Sequence, residues 1–123
     1  MAICYDVRFP LLFRAYAEQG AQILTLPAAF TQTTGEAHWH SLLRARAIEN
    51  GAFVIAAAQQ GQHEDGRKTF GHSLIISPWG DIIAEKTTGE GILLASIDIN
   101  AVNSARQKIP SLTHNHSFQI ERK

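Results

Sequence analysis

The apolar positions of the chain change period repeatedly, and each change falls at Gly, Pro, Thr or Asn, so the pattern predicts alternating helices and strands. Ala2, Ile3 and Cys4 are enough only for the end of a strand. Residues 9–20 carry Leu11, Leu12, Ala15 and Tyr16 at helical spacing. Pro10 suits a first turn, where its missing N–H is not needed, and Gly20 suits the stop. Residues 22–26, QILTL, form a short apolar run closed by Pro27 and predict a buried strand.

In the Thr-rich loop that follows, Thr33 stands three residues before Glu36, the spacing of a capping box, and predicts a helix start. Over residues 36–50, Leu42, Leu43, Ala47 and Ile48 lie near one face, and Gly51 ends the helix. "AFVIAAAQQ" predicts a strand around Phe53, Val54 and Ile55, and the small residues 56–58 leave room for a neighbouring side chain or a ligand. Residues 61–70 are polar and read as a surface loop. "HSLIISPWGDIIAEK" predicts a hairpin turning at residues 78–81, and "GILLASIDI" a last strand. Asn100 is placed to N-cap a helix ending near Lys108, before Pro110; from Ser111 on the chain is polar and aperiodic.

This order is that of an α/β protein, and with 123 residues and 45% hydrophobic content it fits one domain, residues 1–123, with a real core. Eleven Lys and Arg balance eleven Asp and Glu, so no basic field exists to attract nucleic acid. No stretch has the length of a membrane span or the pattern of a secretory signal, and one cysteine makes no internal disulfide. A soluble, cytoplasmic protein without nucleic-acid or membrane partners is expected.

The candidate chemistry centres on Cys4. Composition alone favours a small buried hydrophobe. Its place at a strand-to-helix turn, above the carboxyl end of a sheet, weighs equally for a thiolate nucleophile, so both readings stand, and it sets the backbone N–H of Tyr5 beside it as an oxyanion donor. The histidines give no metal site by spacing. His38 and His40 point about 200° apart on a helix, and His114 and His116 lack a third ligand. A Cys–His dyad with His72 has no further support.

Four segments in order, "ICYDVRFP", "LPAAFTQTTGEAHWHSLLRARAIENGAFVIAAAQQG", "GHSLIISPWGDIIAE" and "GILLASIDI", resemble the carbon-nitrogen hydrolases of the nitrilase superfamily, specifically its deaminated-glutathione amidase and ω-amidase branch. The resemblance implies an αββα sandwich, hydrolysis of a small-molecule amide through a cysteine thioester with no metal or organic cofactor, and a Cys-Glu-Lys triad. It identifies Cys4 as the nucleophile and Tyr5 as the oxyanion donor, and it places Arg8, Phe30, Thr31 and Thr34 against the substrate. Read from the residues alone, Arg8 serves a substrate carboxylate or a structural ion pair with Asp6 or Glu49. Phe30 is a pocket wall or core, and Thr31 and Thr34 are substrate contacts or turn caps. Arg46 and Glu49, three apart on one helix, read as a structural pair.

The family's Glu and Lys precede its cysteine, and only three residues precede Cys4 here. Lys68, Lys86, Lys108 and Lys123 do not match the family lysine, and Glu36 and Glu49 fall at helix positions that do not match its base. The chain resembles the C-terminal half of the domain, a partial αββα sandwich with uncovered apolar surface. Its tail, "HNHSFQIERK", departs from a basic stretch common in the family. Three readings follow: part of a longer amidase, homo-oligomeric when full-length; one half of a split enzyme completed by a partner chain; or an inactive fragment serving as an interaction module through residues 9–20 and 36–51.

Overall fold

The structure is a computed structural model, and it describes residues 1–114, 119 and 121. A 3-10 helix, Cys4–Arg8, leads into α1 (Pro10–Glu18), followed by β1 (Ile23–Thr25), α2 (Gln32–Asn50) and β2 (Phe53–Ala56). Then come β3 (Gln60–Gln62), β4 (Lys68–Phe70), β5 (Ser73–Ile76), β6 (Ile82–Lys86) and α3 (Asn100–Lys108). The main sheet has the order β1-β2-β5-β6, with β1 and β2 parallel across the α2 crossover and the other pairs antiparallel.

The register explains the core. Leu24 pairs with Val54, Val54 with Ile76 and Ala56 with Leu74, so these apolar residues share one face of the pleat. All five belong to one buried cluster with Phe13 of α1 and Trp39, Leu43 and Ala47 of α2. The opposite face carries Ile55 and Ile75, which with Leu93 line a cavity of about 170 Å³. One face is thus covered by helices and the other is only partly filled, which is half of a layered sandwich. No helix among the described residues is long and apolar enough to cross a membrane.

Several local expectations hold. Pro10 opens α1, Gly20 at φ 90 follows its end, and Gly51 closes α2 in the left-handed region at φ 52. Others are corrected. Helix α2 starts four residues before Glu36, and its N-cap is Thr31, not Thr33; Glu36 instead takes a bond from the Gln32 side chain. Asn100 is the first helical residue, and the capping falls to Asp98, whose carboxylate accepts the Asn100 N–H at 3.0 Å and whose carbonyl accepts that of Ala101 at 3.0 Å.

The polar residues 61–70 are not an open loop, because β3 and β4 pair there as an antiparallel hairpin. Its ladder needs no buried face, so the apolar pattern carries no trace of it. In contrast, "GILLASIDI" forms no strand. Its apolar run is that of a strand, yet none of the strand pairings reaches it, and Ile92 and Leu94 are more than four-fifths exposed. The N-terminal Ala2 to Cys4 run is hydrogen-bonded along β1 without being a strand itself. His116 and Lys123 lie outside the described residues, so the His114–His116 pair and most of the tail do too.

Candidate active site

The turn at Cys4 is held from both ends. Ala2 donates its N–H to the Thr25 carbonyl at 3.0 Å and Cys4 donates to the Pro27 carbonyl at 2.9 Å, a ladder-like spacing that lays the chain along the end of β1. Asp6 folds back to accept the Ile3 N–H at 2.8 Å. Beyond, the buried Arg46 of α2 donates Nε to the Val7 carbonyl at 2.8 Å, while its Nη1 pairs with Glu49 at 2.6 Å. The Arg46–Glu49 pair expected from spacing therefore exists, and its guanidinium also clamps the turn.

Between these anchors Cys4 adopts φ 46, in the left-handed region that side chains other than glycine rarely occupy. It starts a five-residue 3-10 helix rather than an α-helix. Cys4 is half-buried, packs against the core and lines an open cavity of about 620 Å³. The wall opposite is Ala28, Ala29, Ala57 and Ala58, with Gln59, Ser73 and Gly91 beyond, so the small residues of the "AFVIAAAQQ" run do make the predicted room. No Asp, Glu, Lys, Arg or His is among the residues that line this cavity.

The other candidate residues lie outside that lining. The Arg8 guanidinium stands 5.6 Å from the Tyr5 ring and 5.3 Å from the Phe30 ring, with Nη2 at 3.4 Å from His38 Nδ1. It pairs with neither suggested carboxylate, since the Asp6 side chain receives Ile3 and Glu49 receives Arg46. Tyr5 is largely exposed and its ring also meets Phe9. Phe30 is buried against Trp39, with centroids 4.7 Å apart. Thr31 and Thr34 bond each other through their hydroxyls at 2.9 Å, and the Thr31 oxygen accepts the Thr34 N–H at 3.4 Å, so Thr31 caps α2 and Thr34 is the residue it caps.

A second group of ionisable side chains was not legible from spacing. His40 on α2, His72 just before β5 and Glu85 on β6 converge, with both imidazoles reaching the same Glu85 oxygen. His72 is thereby engaged with Glu85 rather than with Cys4. Burial pushes the Glu85 carboxyl up, but the bonds and charges of His72 and His40 outweigh it and hold the group below its ordinary value of 4.5. His38 and His40 do part company around the helix, one meeting Arg8 and the other Glu85. Only a tertiary fold brings together residues this far apart in the chain.

Residues 1–107 match the carbon-nitrogen hydrolase family. Human deaminated glutathione amidase is 49% identical over 114 residues, covering 93% of this chain and 35% of that protein. The crystal structure of the Caenorhabditis elegans NitFhit protein superposes with a TM-score of 0.90 at 46% identity, covering 94% of this chain and 28% of that one. A mutant amidase from Nesterenkonia sp. AN1, described with acrylamide added at its active site cysteine, superposes at 0.69 with 31% identity, over 88% of this chain and 42% of that one. The chain thus spans about a third of the length of the human relative.

Proposed function

The chain belongs to the carbon-nitrogen hydrolase family, and on that premise we propose that it carries the cysteine side of an amidase site acting on a small acid amide such as deaminated glutathione. Cys4 is the nucleophile. Its sulfur bonds to the amide carbon, the C–N bond breaks, and the amine departs with the proton the thiol gave up, as ammonia from a primary amide or as the amino-terminal remainder of deaminated glutathione. Water then cleaves the thioester, yielding the carboxylic acid and restoring the thiol. The covalent route replaces one difficult displacement by two easier ones, each with an oxyanion that the Tyr5 N–H holds.

One observation carries this reading: the lone cysteine sits in a left-handed backbone conformation on the wall of an open cavity. Such a conformation costs about 1–3 kcal/mol and persists only where the surroundings impose it, as the Cys4 N–H bond to the Pro27 carbonyl and the Arg46 bond to the Val7 carbonyl do here. Arg8, raised between two rings and free of any carboxylate partner among the described residues, receives the acid end of the substrate. Phe30, Thr31 and Thr34 border the substrate body. No cofactor takes part.

The cavity lining holds no general base or acid, which supports placing the Glu and Lys of the triad on polypeptide beyond these 123 residues. That polypeptide is a longer form of the same cytoplasmic chain, the C-terminal part of the domain being present here, and the full form associates with itself through α1 and α2. The same bare wall favours a second reading, a half-enzyme or silent interaction module. Release of a free primary amine from deaminated glutathione and of ammonia from α-ketoglutaramate separates the outcomes. The chain alone should release no more than its Cys4→Ala variant, and steady turnover lost on that substitution would refute the need for a missing base. Native-state alkylation by acrylamide should map to Cys4; labelling seen only in urea would end the nucleophile assignment.

A further inference from the structure

The cluster of His40, His72 and Glu85 is not part of the Cys4 cavity lining, although His72 adjoins Ser73 of that lining, and it has no part in the amidase reading. His40 Nε2 stands 2.9 Å and His72 Nδ1 2.5 Å from the same carboxylate oxygen, and the three donor atoms all fall within 4.8 Å of one another. We propose that these three side chains form a binding site for a divalent zinc ion, bridging α2, the entry to β5, and β6.

The donor set points to the metal. Two imidazole nitrogens and one carboxylate oxygen suit zinc and its borderline neighbours, whereas calcium and magnesium want shells of oxygen. Zinc at its usual ligand lengths of about 2.0–2.1 Å in a tetrahedron sets neighbouring ligand atoms about 3.3 Å apart. The present spacing brackets that value, so the ion replaces the two shared protons once Glu85 draws back by less than about 1 Å. The three side chains are 25–33% exposed, which leaves a path to solvent and a fourth position for water.

The rings are also fixed before any ion arrives. Phe70 stacks on His72 at 4.1 Å between centroids and meets the edge of His40 at 5.9 Å. Trp39 Nε1 donates to the His72 carbonyl at 2.8 Å and holds that backbone at φ 58. Helix α2 comes this close because residue 35 is glycine; a Cβ there would lie 2.2 Å from Phe70. Supporting contacts of this kind lower the ordering cost of binding a metal.

The test is calorimetric titration of the metal-free 123-residue chain with zinc chloride. One equivalent should bind, and His40→Gln and His72→Gln should each weaken it at least tenfold, while Cys4→Ser and His114→Gln leave it unchanged. No binding, or binding abolished by Cys4→Ser or His114→Gln, overturns the site. Cobalt(II) added to the unaltered chain gives an answer independent of variant folding. Visible bands of a four-coordinate nitrogen and oxygen site are expected, and an intense near-ultraviolet thiolate band would place the ion on Cys4 instead.

Discussion

The two chemical centres of this molecule are opposites. At Cys4 a reactive atom sits in a strained turn beside an open cavity whose lining offers no acid or base. At His40, His72 and Glu85, three ionisable groups satisfy one another on ring-supported side chains, although His72 shares the left-handed backbone of Cys4. The first resembles a site waiting for partners, and the second is a set of partners already assembled. A strained nucleophile with no base in its cavity lining calls for chemistry completed from outside, and a preorganised cluster with no nucleophile calls for a ligand from solution.

Trp39 belongs to the core against which Cys4 packs and also holds the His72 carbonyl, so its loss should loosen both. It is fully buried, contacts Phe30 on one side and fixes the His72 carbonyl on the other. Trp39→Ala should cost about 3–5 kcal/mol, the usual loss for a large core aromatic, read as a lowered urea midpoint together with faster alkylation of Cys4 and weaker zinc binding. If only one centre responds, they are not mechanically joined through this residue.

Arg46 separates them. Arg46→Met keeps the stem but leaves the Val7 carbonyl without its donor, a loss of about 1–3 kcal/mol. Cys4 alkylation should accelerate while zinc affinity stays put; a shift in zinc affinity would show that the turn and the cluster share more than Trp39.

The smallest effect belongs to Glu85. Its folded carboxyl titrates below 4.5, so the stability it contributes is present above that value and is lost as pH falls through the depressed one. In EDTA, wild type should exceed Glu85→Gln by under about 1 kcal/mol near neutrality, and the two unfolding midpoints should merge on the acid side. A gap that widens in acid would show that the carboxylate is not the stabilising form.

What was legible in the sequence was local. Pro10, Gly20 and Gly51 mark helix ends because their backbone constraints act over one or two residues, and Val54, Leu74 and Ile76 betray the sheet because burial repeats along the strand. Cys4 was found through its motif and its place at a strand end. The β3–β4 ladder stayed hidden because Gln60, Gln62 and Lys68 pair through backbone alone. Residues 91–99 misled for the converse reason: their apolar run reads as a strand, yet no described strand pairs with it. The His40 cluster is invisible to spacing because His72 and Glu85 stand 13 residues apart and His40 further still.

The positive φ at position 4 reverses an ordinary ranking. In most of a protein, alanine outranks glycine because glycine gives up more freedom on folding, but in the left-handed region the methyl group is the liability. Among sulfur-free replacements, then, Cys4→Gly should be more stable than Cys4→Ala by about 1 kcal/mol or more. A pair of dead variants thereby reports the shape of the living one, with no substrate in the tube.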